Sequence, residues 1–210
     1  MRLFPSASFV CATMMSCALS ANAAIFTETM GTPSANTPIT AYTGFSNPGV
    51  LTYAGTGDVR TTTPSTYSGA SASGNVFLTN TSLPRTFIIS SISTIGYTPG
   101  SLDLSFGVFK STIPSTLSDF ALDYSTDGAA WTSVSIPVQA SGTGTAVWRL
   151  ITLTDTAIPI SSTLSLRFSN TATATQYRID DVKLDGSAIP EPASLGLAAI
   201  AIIGLGRRRR

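Results

Sequence analysis

Leu102, Leu104, Phe106 and Val108 fall on every second position of the stretch SLDLSFGVFK, with Asp, Ser and Gly between them. Strand side chains alternate between faces, whereas a helix needs a period near 3.6 residues, so this spacing predicts a half-buried β-strand. Phe120, Leu122 and Tyr124 repeat the pattern in DFALDYS, as do Leu164, Leu166 and Phe168 in TLSLRFS. No long helical period runs through the middle of the chain. About ten strand-like segments, parted by Gly, Ser, Thr and Pro turns, predict an all-β, antiparallel two-sheet β-sandwich. TFIISSI (residues 86–92) and AVWRLITL (residues 146–153) are apolar on both parities and are expected to be more deeply buried. The Asp127-Gly128 step, between DFALDYS and WTSVSIPV, supplies the positive φ of a hairpin turn. GASASG (residues 69–74) reads as a flexible loop.

The two ends of the chain are of another kind. Residues 1–23 carry one basic side chain, Arg2, then an apolar stretch, then the small-x-small step Ala21-Asn22-Ala23. That order predicts a signal peptide cut after Ala23. Both cysteines, Cys11 and Cys17, lie inside it, so the exported chain, residues 24–188 plus the tail, is expected to hold no disulfide. At the other end Pro190-Glu191-Pro192 precedes residues 193–206, which are uncharged with Ser194 as the only polar side chain, and then Arg207, Arg208, Arg209 and Arg210. At about 1.5 Å per residue the apolar run reaches roughly 21 Å, short of the ~30 Å hydrocarbon core. Length alone leaves it a core helix or a marginal span. Four arginines beside an apolar run favour the span, with the basic end at the cytoplasmic face.

These three parts in order resemble the PEP-CTERM sorting segment of Gram-negative bacteria, over about the last 22 residues. The resemblance implies an exosortase as partner and cleavage near the Pro-Glu-Pro step. It further implies transient anchoring in the inner membrane with the domain outside the cytoplasm. The destination would be the cell surface or the extracellular polymer.

Charge and composition narrow what residues 24–188 can do. Seven basic and ten acidic side chains leave them at −3, which gives no electrostatic case for binding nucleic acid. The chain has no histidine, which removes the commonest general base and metal ligand, and the exported part has no thiol. A glycosidase needs only two carboxyls. Yet the domain has a single glutamate, Glu28, and aspartates mostly at turns and strand edges, so no catalytic residue is expected.

Asp180 and Asp181 form the one constellation that invites chemistry. Tyr177 and Ile179 share one parity, and Val182 and Leu184 share the other. If both pairs face the core, an extra residue must be inserted at the aspartates, which makes a β-bulge. Adjacent carboxylates repel unless a cation neutralises them, and Ca²⁺ with its oxygen ligands is the natural guest. Pairing with Arg178, Lys183 or backbone amides is the alternative. The segments YSTDGAAWTSV and YRIDDVKLDG resemble those of bacterial jelly-roll modules, carbohydrate-binding and galactose-binding-like domains. That resemblance implies a structural calcium between the last strand and the N-terminal segment, with Glu28 as the N-terminal candidate ligand. Among the aromatics, Trp131 and Trp148 are expected in the core. Tyr53 and Tyr67, in Gly/Ser/Thr-rich stretches, are the candidates for stacking on a sugar. The sequence thus predicts an exported, non-enzymatic surface or matrix protein. A carbohydrate-binding module for envelope or exopolysaccharide glycans is the first alternative and a surface hydrolase the second.

Overall fold

The computed structural model describes residues 22–112, 116–137 and 146–189. The predicted signal peptide, apart from Asn22 and Ala23, and the Pro-Glu-Pro, apolar and arginine parts of the tail lie outside the described residues.

Among the described residues, the domain has twelve strands and one short 3₁₀ turn. One sheet has seven strands. It runs in the order β10 (Trp148–Leu153), β7 (Asp103–Lys110), β12 (Tyr177–Ser187), β5 (Asn75–Leu78), β4 (Asp58–Arg60) and β2 (Thr37–Pro38). β1 (Asn22–Glu28) pairs with the second half of β12. The other sheet has five strands: β3 (Thr52–Gly55), β6 (Arg85–Ile92), β11 (Leu164–Asn170), β8 (Phe120–Ser125) and β9 (Thr132–Ser133). Every strand ladder is antiparallel. The two-sheet sandwich expected from the alternation is the fold found.

The alternating residues close the space between the sheets. Leu104, Phe106 and Val108 of β7, Leu122 of β8 and Leu164, Leu166 and Phe168 of β11 are all buried. Phe168 sits at the centre, with its ring centroid 6.0 Å from that of Phe87, 5.2 Å from Phe106 and 6.3 Å from Phe120. Offset and edge-on aromatic contacts at these separations add to the gain from area burial. The β8–β9 hairpin turns where expected, at Gly128 with φ +75.

Two segments expected to be deeply buried are half-buried. β10 lies at an open edge of the seven-stranded sheet, and Leu150 is 46% exposed on its outer face. In β6, Phe87, Ile89 and Ile92 are buried but Ser91 is exposed. β6 also carries an extra residue against β11, where Leu164 pairs with Ile92 and Leu166 with Ile89. Ser91 takes the strain of that bulge with φ +65.

The sandwich also places both ends of the described domain together. Asn22 opposes Ser187 and Ala23 opposes Gly186. The Ser187 hydroxyl donates to the Asn22 side chain at 2.7 Å. A cut after Ala23 removes the first two rungs of this ladder and leaves those from Ala24 to Glu28.

Candidate functional site

β12 crosses the middle of its sheet and changes parity on the way. Tyr177, Ile179, Val182 and Leu184 are all fully buried, although the two pairs differ in parity. The register supplies the reason: Asp180 opposes Gly107, but Lys183 opposes Ser105, so β12 holds one residue more than β7 across this step. Asp181 sits in the left-handed region at φ +50, a conformation that aspartate tolerates better than most residues. The bulge deduced from the sequence is therefore present. It turns both aspartates to the outer face of the sheet.

A strap covers them there. The loop between β4 and β5, residues 61–74, crosses the outer face and is tied down along its length. Ser65 Oγ donates to Asp180 at 2.6 Å, and the Ser71 N–H donates to Asp181 at 3.0 Å. The Tyr67 hydroxyl donates to the same Asp181 oxygen. Ser73 Oγ reaches the Thr29 carbonyl at 2.7 Å, and the Gly74 N–H reaches that of Gly31 at 2.6 Å. GASASG is thus a pinned segment, because serine hydroxyls and backbone amides find the buried carboxylates beneath it. Gly107 gives Tyr67 its seat: a Cβ there would lie 2.4 Å from the tyrosine hydroxyl.

Burial dominates the electrostatics. Asp180 is fully buried. Loss of solvent, with the charge of Asp181 adding to it, outweighs the hydroxyls of Ser65 and Ser71 and pushes its carboxyl up to about 7. Burial and the bond to Asp181 likewise raise the Tyr67 phenol well above its ordinary value.

Glu28 is held elsewhere. It pairs in register with Val182, whose side chain faces the core, and is itself fully buried on that inner side. Its carboxylate accepts from the backbone N–H of Met30 at 2.8 Å and of Ser46 at 2.9 Å, from the Asn47 amide at 3.3 Å, and from the Tyr53 hydroxyl. The calcium set of Asp180, Asp181 and Glu28 is therefore not brought together. No group of three or more acidic, His or Cys side chains suited to a metal occurs among the described residues.

The aromatics also part from expectation. Tyr53 stands on β3, stacked on Phe45 with centroids 3.9 Å apart, so its ring packs toward the core instead of presenting a loop surface. Trp131 lies on the outer face of the five-stranded sheet, with the Arg167 guanidinium 4.2 Å over its ring. Arg167 in turn pairs with Asp123 at 2.9 Å. Trp148 is buried, but against Phe109 and Tyr67 under the strap, and its indole N–H donates to the Thr63 carbonyl at 3.1 Å.

Of the two tyrosine candidates, Tyr67 borders a cleft. That cleft, about 290 Å³, lies on the outer face beside the bulge and is lined by Tyr67, Ser71, Ser105, Leu150, Asp181 and Lys183, with Thr27 and Thr29 at its rim. It joins an aromatic edge and an exposed leucine to hydroxyls, a carboxylate and an ammonium group, a set suited to a polyhydroxylated ligand. A larger opening of about 490 Å³, lined by Tyr124, Val134 and Leu153, lies where edge strands of the two sheets part. Its lining reaches Pro137, the last described residue before a break, and it is not a candidate site.

Comparison with known proteins decides the nature of the tail. The family model described as the PEP-CTERM protein-sorting motif matches residues 188–210. The chain carries a PEP-CTERM sorting motif. The match begins within the folded domain, since Ala188 bridges to Tyr97 and the Ile189 N–H donates to the Gly96 carbonyl at 2.8 Å. No helix among the described residues is long and apolar enough to cross a membrane; the PEP-CTERM apolar run, residues 193–206, lies outside them. Among curated proteins none matches the chain.

Several solved structures resemble the domain at low identity. A xylan-binding domain from Paenibacillus barcinonensis aligns at 13% identity over 82% of this chain and 100% of its own, with a TM-score of 0.44. A cleaved adhesin domain of Lys-gingipain from Porphyromonas gingivalis aligns at 15% identity over 77% of this chain and 98% of its own, with a TM-score of 0.47. The family 30 carbohydrate-binding module of a Clostridium thermocellum cellulosomal cellulase gives 15%, 78%, 96% and 0.41 in the same order. The strand ladders themselves establish the sandwich.

Proposed function

We propose that this is an exported, non-enzymatic β-sandwich protein, held in the inner membrane by its tail until an exosortase-type enzyme releases it to the cell surface or matrix. The observation that carries the reading is the PEP-CTERM motif directly following β12. The absence of catalysis is supported by the state of the carboxyls. Asp180 has no solvent access, Glu28 is enclosed, and Asp181 accepts from Tyr67 and Ser71. Neither two-carboxylate hydrolysis nor a nucleophile with a histidine base can be assembled from these groups. Expression of the full chain in a host with an active exosortase tests the sorting. The mature protein should lose its tail, Glu191→Ala should block that loss, and replacing Arg207 to Arg210 with neutral residues should weaken membrane retention. A mature protein that kept its whole tail would refute the assignment.

The cleft beside the bulge favours a second role, binding of a surface or matrix polysaccharide. Leu150 and Tyr67 would give the apolar contact, and Lys183 with the surrounding hydroxyls the polar ones. A glycan-array screen of the exported protein should give hits that Leu150→Ala and Lys183→Ala weaken together. Hits untouched by both changes would move the site elsewhere.

A further inference from the structure

We propose that the end of the sandwich where β12 leaves it rests on the bilayer surface, with Val50, Ile95 and Ile189 entering the headgroup layer. This rests on reading residues 193–206 as the membrane anchor.

Chain length sets the distance. Ile189 is still bonded to Gly96, the Thr98 N–H donates to Ser187 at 2.8 Å, and the Ser187 N–H donates to Ser101 Oγ at 3.0 Å. The apolar run starts at Ala193, with Pro190, Glu191 and Pro192 between. Four residue steps, fully extended, span at most roughly 14 Å. The headgroup layer on one side of a bilayer occupies about 5–8 Å of that. The domain therefore has no linker on which to float free.

The surface at this end suits such a contact. Five large apolar side chains are exposed among the described residues, and two of them, Ile95 at 61% and Ile189 at 56%, flank the point of exit. Val50, at 73% the most exposed of the five, borders with Ile25 and Ser93 a cleft of about 140 Å³. Residues 22–27, 44–57, 86–102 and 186–189, which carry the three side chains, contain no Asp, Glu, Lys or Arg; Asp103, opposite Asp185, and Asp155, whose N–H donates to Asp103 at 2.9 Å, lie beside them. Asp185, the next residue inward on β12, is paired with Lys183 at 2.8 Å. Isolated exposed apolar residues are ordinary, but three of them on uncharged segments beside an anchor fit the interfacial layer.

Spin labels on the full-length protein provide the test. With Cys11 and Cys17 changed to serine, single labels go on Ile95→Cys, Val50→Cys and Ala174→Cys. Ala174 lies in the β11–β12 loop, at the opposite end of β12 from Ser187. In vesicles of phosphatidylethanolamine and phosphatidylglycerol, labels at 95 and 50 should collide severalfold more with oxygen than with a water-soluble nickel chelate, and the label at 174 should do the reverse. If all three reported water while the protein resisted a carbonate wash, the docking would be wrong and the anchor right. Protein stripped by that wash would overturn both. Spin–spin broadening between copies at 95 or 50 would assign the corner to a second chain instead of lipid and overturn the proposal too.

Discussion

At the level of single residues, two buried carboxyls are held in different ways. Asp180 carries a folded-state value near 7 against 3.8 for the free side chain. The folded chain thus holds a proton that the unfolded chain has released, and stability falls as pH rises from about 4 through 7. From pH 5 to pH 8 the loss is roughly 2–3 kcal/mol, at about 1.4 kcal/mol per unit up to the folded value. Thermal melts at the two pH values should show it, and Asp180→Asn should flatten the difference while keeping an acceptor for the Asp181 N–H. A wild-type melting point that rose from pH 5 to pH 8 would contradict this account. Glu28 is enclosed by donors: Met30, Ser46, Asn47 and Tyr53 all donate to its carboxylate. Glu28→Ala would strand those donors in the interior, and a cost of about 3–5 kcal/mol is expected. Equilibrium urea unfolding measures it, and Glu28→Gln should recover part of the loss.

The strap and the bulge form one device at the level of elements. Gly107→Ala places a methyl group where the Tyr67 hydroxyl sits, so Tyr67 must lift and loosen residues 61–74. An overpacking cost of about 1–3 kcal/mol is expected. Chymotrypsin should then cut at Tyr67 in the variant well before it cuts the wild type; equal resistance would mean that the strap does not depend on this seat. The bulge beneath it was legible in the sequence, because four apolar residues on β12 announce their own change of parity. The strap was not. Ser65 and Ser71 lie more than a hundred residues from Asp180 and Asp181 in sequence, and a serine in a loop gives no sign of which carboxylate it will cap. Tyr53 and Glu28 bond to each other and to the turn at Ser46 and Asn47, contacts that no spacing in the sequence marks. β10 lies shallower than its apolar residues on both parities suggest, because such a run does not say whether its outer face is covered, and Leu150 lies on the uncovered side of an edge.

At the scale of the whole molecule, the described domain has one core shared by both sheets. Phe168 of the five-stranded sheet packs on Phe106 of the seven-stranded one, so neither sheet keeps its inner face covered without the other. Trp131 reports on the outer side of one sheet and Trp148 on that of the other. Single-tryptophan versions should therefore melt at one common temperature. Phe168→Ala, at about 3–5 kcal/mol, should lower both by roughly 6–20 °C. Separate transitions for the two probes would show that the sheets unfold independently.

The strand that leads to the tail also sets how the domain bears load. Under the anchoring proposed above, a pull on the domain would enter at Ile189 and pass along the axis of β12. β7 lies on one side of β12, with β1 and then β5 on the other. Antiparallel hydrogen bonds run across the strand direction, so a pull along β12 loads them side by side in shear. To yield, the strand must break both rows nearly together instead of peeling open one rung at a time.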